Sequence, residues 1–192
     1  MSFDLDGAIR ATGAQRLSAA LTRRSEAELP WVYDEPPVGA PLLLDTTVYL
    51  DVLYGRTPRE ADRLLRHRIC NHSAVCLAEL TYAFGRLDPR HPETKSALNV
   101  LRETIENVPA HRLCAVDSDV WGAAGMLAGA LFRFSGLGSR QGHERKFLND
   151  ALIYLQARKL GCAVLTGNIR DFDFLNQLMP GGRFILYKKT PA

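Results

Sequence analysis

The stretch LLLDTTVYLDVL, residues 42–53, sets a full negative charge, Asp45, where a run of leucines ends and apolar sequence resumes. PLLLD reads as a short buried strand and TTVYLDVLYG as the helix it feeds, so Asp45 falls at the strand's carboxyl end. In an open parallel sheet that end opens on the ligand crevice. Taken singly, an Asp after a strand is more often a helix N-cap than a ligand, so the case rests on its partners.

Outward from this stretch, short apolar runs alternate with longer helical patterns. PREADRLLRHR reads as a helix. RICNHS is a weak strand leading into a helix over AVCLAELTYAFGRL, with Ser73 as its N-cap. The stripe Ala97, Leu98, Leu101 and Ile105 marks another helix. RLCAVD is a strand, SDVWGAAGMLAGALFRF a helix starting at Ser118 or Asp119, and GLGSRQGHERK a glycine-rich basic loop. FLNDALIYLQARKLG is a helix closed by Gly161, CAVLTG a strand, FDFLNQL a short helix and RFILYKK a last strand. This alternation predicts an α/β fold, a three-layer α/β/α sandwich with a central, mainly parallel sheet. Residues 1–40 look separate, a helix across AIRATGAQRLSAALTRRSEAEL and a Pro-rich linker, leaving 41–192 as the main domain.

Composition sets the outer bounds. The chain of 192 residues is 46% hydrophobic and 23% charged, as ordinary folded domains are. A net charge of +3 and a pI near 8.7 permit a polyanionic partner without requiring one. The start, MSFDLDGAIR, lacks the pattern of a signal peptide, and WGAAGMLAGALF is too short to span a bilayer. Cys70, Cys76, Cys114 and Cys162 form no CxxC pair and read as reduced core residues, so a cytoplasmic protein with no membrane association is expected. His67, His72, His91, His111 and His143 make no HxxxH or HExxH pattern for zinc.

Three more segments carry acids toward the same edge. Glu79 lies about two turns into the helix from Ser73, among Val75, Cys76, Leu77 and Leu80. Asp150 shares the helical stripe of Phe147, Ile153 and Tyr154, where an isolated charge is costly. TGNIRDFDF sets Asn168, Asp171 and Asp173 in the loop after the CAVLT strand; singly, Asp171 and Asp173 are turn and capping residues. Together these oxygen donors suit Mg²⁺ or Mn²⁺, hard ions that need few protein ligands and can activate a water against a phosphodiester. A dehalogenase-like phosphatase would need DxD, and Thr47 stands two residues after Asp45.

The joined segments LLLDTTVYLDVL, SAVCLAEL, NDALIYLQARKLG and AVLTGNIRDFDFL resemble the PIN-domain ribonucleases, and among them the VapC-type toxins of toxin–antitoxin pairs, over about residues 41–188. The resemblance implies a PIN-like sandwich, a Mg²⁺- or Mn²⁺-dependent endoribonuclease and a cognate antitoxin that blocks its site. It assigns Asp45, Glu79 and Asp150 as catalytic metal ligands, joined by Asn168 and Asp171, with Asn168 the weaker ligand. Thr46 or Thr47 would support Asp45, and Thr166 has a similar part. Arg140, His143, Arg145 and Lys146 are placed to meet RNA phosphates, although a solvated loop explains them as simply. Trp121 with Gly122, Gly125 and Gly129 reads as close helix packing, and Tyr49, Tyr54 and Phe84 as core. A homodimer is expected. The alternative is a non-catalytic PIN-like module that binds a partner or nucleic acid.

Overall fold

The computed structural model describes residues 3–13, 15, 21–88, 90–135 and 143–191, apart from the side chains of Pro92, Glu93 and His143. Five strands, β1 (Leu42–Leu44), β2 (Cys70–Ser73), β3 (Leu113–Cys114), β4 (Ala163–Thr166) and β5 (Arg183–Leu186), form one sheet in the order β3-β2-β1-β4-β5. Every pairing is parallel, so the expected mainly parallel sheet is wholly parallel among the described residues. Leu42 faces Cys70 on one side and Ala163 on the other. The chain runs outward from β1 to β2 and β3, then returns to lay β4 on the opposite side. A crevice therefore opens between the carboxyl ends of β1 and β4.

Around the sheet lie α1 (Leu5–Thr12), α2 (Thr46–Leu53), α3 (Arg59–His67), α4 (Ala74–Arg86), α5 (Pro92–Glu106), α6 (Ser118–Phe134), α7 (His143–Leu160) and α8 (Ile169–Leu178). The uninterrupted apolar strands LLL and AVLT are fully buried, as parallel strands covered on both faces must be. Helix α7 crosses β1, β4 and β5, and α6 packs along α7. Asp117 caps α6 by accepting from the backbone N–H groups of Asp119 and Val120, one residue before the expected start.

Ser73 does cap α4, accepting from Val75 N at 3.1 Å, and its hydroxyl also donates to buried Gln156 Oε1 at 2.6 Å. The Gln156 amide in turn donates to the carbonyls of Cys114 and Ala115, tying α7 to the chain leaving β3. Ser73→Ala removes a cap and strands the glutamine oxygen. We expect a loss of about 1–2 kcal/mol in urea unfolding.

Three elements differ from the sequence expectation. Helix α1 begins at Leu5, where the Asp4 carboxylate accepts from Gly7 N, and ends at Gly13, whose φ of 61° is left-handed. The expected helix across 8–29 is therefore not continuous: residues 14 and 16–20 lie outside the described residues, and 21–25 are irregular. Helix α7 starts at His143 rather than after Lys146, so the basic tetrad HERK is its first turn and not loop. Helix α8 starts at Ile169 rather than at Phe172, which brings Asp171 into the helix together with Asp173. Short polar residues near a helix start carry too little hydrophobic pattern to mark it.

The segment after residue 20 packs closely. Leu29, Trp31 and Val32 join the core, Trp31 forms a parallel bridge with Leu186, and Leu186 N donates to Pro30 O at 2.8 Å. The Arg24 side chain reaches the buried Asp173 of α8. Phe3 lies against Gly122, where a Cβ would come within 2.4 Å of its ring, whereas nothing described lies within 4 Å of a Cβ on Gly125 or Gly129. Tyr49 is buried and Phe84 packs on the core, but Tyr54 is exposed beneath Arg56. No described helix is long and apolar enough to cross a membrane.

Candidate metal centre

Asp45 stands at the N-cap position of α2, yet its side chain does not cap the helix. Instead Oδ2 accepts from Thr47 Oγ1 at 2.6 Å and from Thr166 Oγ1 at 2.7 Å. Each hydroxyl is itself held by backbone, Thr47 by Gly167 N and Thr166 by Asn168 N. The two strand ends thus fix one carboxylate. Of the two threonines proposed to support Asp45, Thr47 does so and Thr46 turns to Glu79.

Glu79, half-buried on α4, accepts from Thr46 Oγ1 on one oxygen and from Asn149 Nδ2 at 2.7 Å on the other. Asp150 follows Asn149 on α7 and is buried. Asn168 Nδ2 donates to Asp150 at 3.0 Å and to Asp171 at 3.2 Å. Asn168 therefore presents its amide nitrogen to the acids, bridging them as a donor, where an oxygen ligand was expected. Asp171, fully buried near the start of α8, also accepts from Lys146 Nζ at 2.6 Å and Arg170 Nε at 2.9 Å. Asp173, the remaining acid of that segment, belongs to Arg24, whose backbone N–H donates to it at 2.9 Å.

The electrostatics divide the acids. Burial pushes the Asp150 carboxyl well above its usual pKa, and Asp45, Asp171 and Glu79 push it further against the opposing charge of Lys146. Burial also raises Asp45, with Glu79 adding to the effect and the hydroxyls of Thr47 and Thr166 opposing it. For Asp171 burial pushes upward too, but Lys146 and Arg170 outweigh it and the net shift is downward. Asp45 and Asp150 are buried acids to which, among the described residues, no cationic side chain is bonded.

Among the described residues, no three His, Cys, Asp or Glu side chains stand in an arrangement that holds one metal ion. The chemistry of the donors nonetheless fits a hard dication. They are oxygens, two are buried carboxylates that repel each other, and Mg²⁺ is commonly held by one or two carboxylates plus water. Asp45 and Asp150 would be its direct holders, with Glu79 beside them.

Of the residues expected to grip RNA, Arg140 lies outside the described residues, and so does the side chain of His143, the first residue of α7. Lys146 spends its ammonium on Asp171, and the Arg145 guanidinium stacks over the Tyr82 ring at 4.6 Å. Sequence reading missed Asn149. Its one signal was a polar residue beside Asp150 within the apolar stretch FLNDALIYL. Lys146 and Asp150, at i and i+4, share a helix face, a relation hidden while HERK reads as loop.

The sheet order, the all-parallel pairing and the acid-bearing crevice define a PIN-like α/β/α sandwich. Among solved structures, a chain in VapBC2 from Rickettsia felis bound to a DNA fragment from their promoter is similar at 17% identity and TM-score 0.52, covering 77% of this chain and 98% of that one. A chain in DNA-bound VapBC from Salmonella typhimurium matches at 22% identity and TM-score 0.51, over 76% and 97%. One in FitAcB from Neisseria gonorrhoeae matches at 20% identity and TM-score 0.52, over 76% and 96%. No family model and no curated protein matches the chain. The resemblance to PIN domains read from four short segments is thus borne out at the level of the fold.

Proposed function

We propose that the chain is a Mg²⁺- or Mn²⁺-dependent endoribonuclease and the toxin of a toxin–antitoxin pair. The observation that carries this reading is the burial of Asp45 and Asp150 side by side at the β1/β4 crevice, with Glu79 adjoining and, among the described residues, no cationic side chain bonded to any of the three. A bound dication would supply charge neutralisation on the phosphodiester and a more acidic water. The chain's own groups do the positioning. Thr47 and Thr166 fix the Asp45 carboxylate, Thr46 and Asn149 orient Glu79, and Asn168 spaces Asp150 from Asp171. Lys146 keeps Asp171 ionised.

The likeness to chains of VapBC and FitAcB structures supports a cognate antitoxin as the protein partner. An RNA substrate, a homodimer and a cytoplasmic setting belong to the same reading. The second reading is a non-catalytic module that binds nucleic acid or protein. It is favoured by Lys146, which already supplies a cation to Asp171, and by the fact that no three acids among the described residues stand in an arrangement that holds one metal ion.

Purified protein incubated with RNA and Mg²⁺, Mn²⁺ or a chelator separates the two. Cleavage that needs the metal and falls about 10²–10³-fold in Asp45→Asn is expected. Equal absence of cleavage by the wild type and Asp45→Asn, in either metal, leaves only the binding module.

A further inference from the structure

Beside the acid centre a cleft of about 440 Å³ is lined by Thr46, Glu79, Tyr82, Arg86, Arg145 and Asn149. Its walls follow from helix periodicity. Glu79, Tyr82 and Arg86 stand at i, i+3 and i+7 on α4, while Arg145 and Asn149 stand at i and i+4 on α7. The Asn149–Glu79 hydrogen bond of 2.7 Å joins the two walls. One turn along α4 from Glu79, the Tyr82 ring is 49% exposed with Arg145 over its face. No local pattern singles out Tyr82, and the acid centre does not use it.

We infer that this cleft is a nucleotide subsite, in which an unpaired base stacks on the Tyr82 ring in the place the Arg145 guanidinium takes in the free protein, and the displaced Arg145, with Arg86, meets the adjoining phosphates of a single strand. An exposed aromatic with arginines on both walls of one cleft is the combination that binds single strands, the ring taking the base face and the cations tracking the backbone. A duplex is excluded because its bases are already stacked on each other and cannot lie on the ring. The arginines flank the cleft, and the carboxylate of Glu79 at its floor already accepts from Thr46 and Asn149. The subsite would therefore hold a strand beside the acid centre. This inference rests on the nuclease reading for its direction, although binding can be measured apart from it.

The test is fluorescence anisotropy in chelator, with a 5′-labelled single-stranded RNA ten-mer and the same sequence as a duplex. Tyr82→Ala is expected to weaken single-strand binding about tenfold, to leave the melting temperature unchanged and to leave the weaker duplex binding where it was. Tyr82→Phe keeps the stacking face and should bind as the wild type does. Arg145→Ala should lower the slope of log K against log salt by about 0.7, one phosphate contact to a single strand. Unchanged single-strand affinity in Tyr82→Ala, or an equal loss for strand and duplex, overturns the subsite. Cleavage assays with Mn²⁺ run alongside. A wild type that binds through Tyr82 but cuts nothing retains the subsite and removes the nuclease, whereas a Tyr82→Ala protein that binds and cuts like the wild type removes the subsite and retains the nuclease.

Discussion

Asp150→Asn is expected to reduce metal-dependent RNA cleavage by about 10²–10³-fold while raising the melting temperature of the metal-free protein. The two effects have one cause. The Asp150 carboxyl is buried among Asp45, Asp171 and Glu79, and its pKa is raised well above the ordinary carboxylate value. A group whose folded pKa is raised loses free energy on folding when the unfolded chain is ionised. Without metal, the Asp150 contribution opposes folding at neutral pH, and stability recovers as pH falls through the folded pKa toward the unfolded one. An asparagine removes the charge, and its oxygen can still accept from Asn168. Thermal melts with chelator and with Mn²⁺ check both parts: the wild type should gain stability from the ion, and the variant should gain little. A variant that melts lower than the wild type in chelator would contradict the assignment of Asp150 as an uncompensated buried charge.

Arg24→Ala should destabilise the fold by about 3 kcal/mol, read as a lower urea midpoint, because it strands a fully buried carboxylate. Asp173 takes both the Arg24 backbone N–H at 2.9 Å and the guanidinium Nε, and the same guanidinium donates to Asn176 Oδ1 at 3.1 Å. The figure sits at the low end of what breaking a buried pair costs, since the Arg24 side chain is 29% exposed and water can replace part of it. Arg24→Ala combined with Asp173→Asn should recover much of the loss by removing the orphaned charge. Recovery would show that the pair acts through charge compensation. An effect near zero in the single variant would mean that residues 21–34 do not hold α8.

Much of the architecture was legible in local pattern. LLL and AVL are short uninterrupted apolar runs, each followed by a polar residue, as strands buried on both faces read. Asp45 and Asp150 stood out because each interrupts such surroundings, and the same isolation keeps both charges uncompensated in the fold. Ser73 announced its helix by hydroxyl chemistry that acts over two residues. Where the signal was weaker the reading slipped. The first turns of α7 and α8 looked like loop because HERK and NIRD carry no apolar period, although both are helical.

From the sequence alone came the βα alternation, the strand that carries Asp45, and the acids Asp45, Glu79 and Asp150 in their chain order, since each depends on residues within a turn or two of one another. The tertiary structure decided the pairings. Thr47 and Thr166 go to Asp45, Thr46 and Asn149 to Glu79, Lys146 to Asp171 and Arg24 to Asp173. Apart from Thr47 with Asp45, these join residues that are 25 to 149 positions apart. A hydroxyl or ammonium carries no mark of which distant carboxylate it will meet, so the choice appears only once the strands are ordered and the helices laid across them.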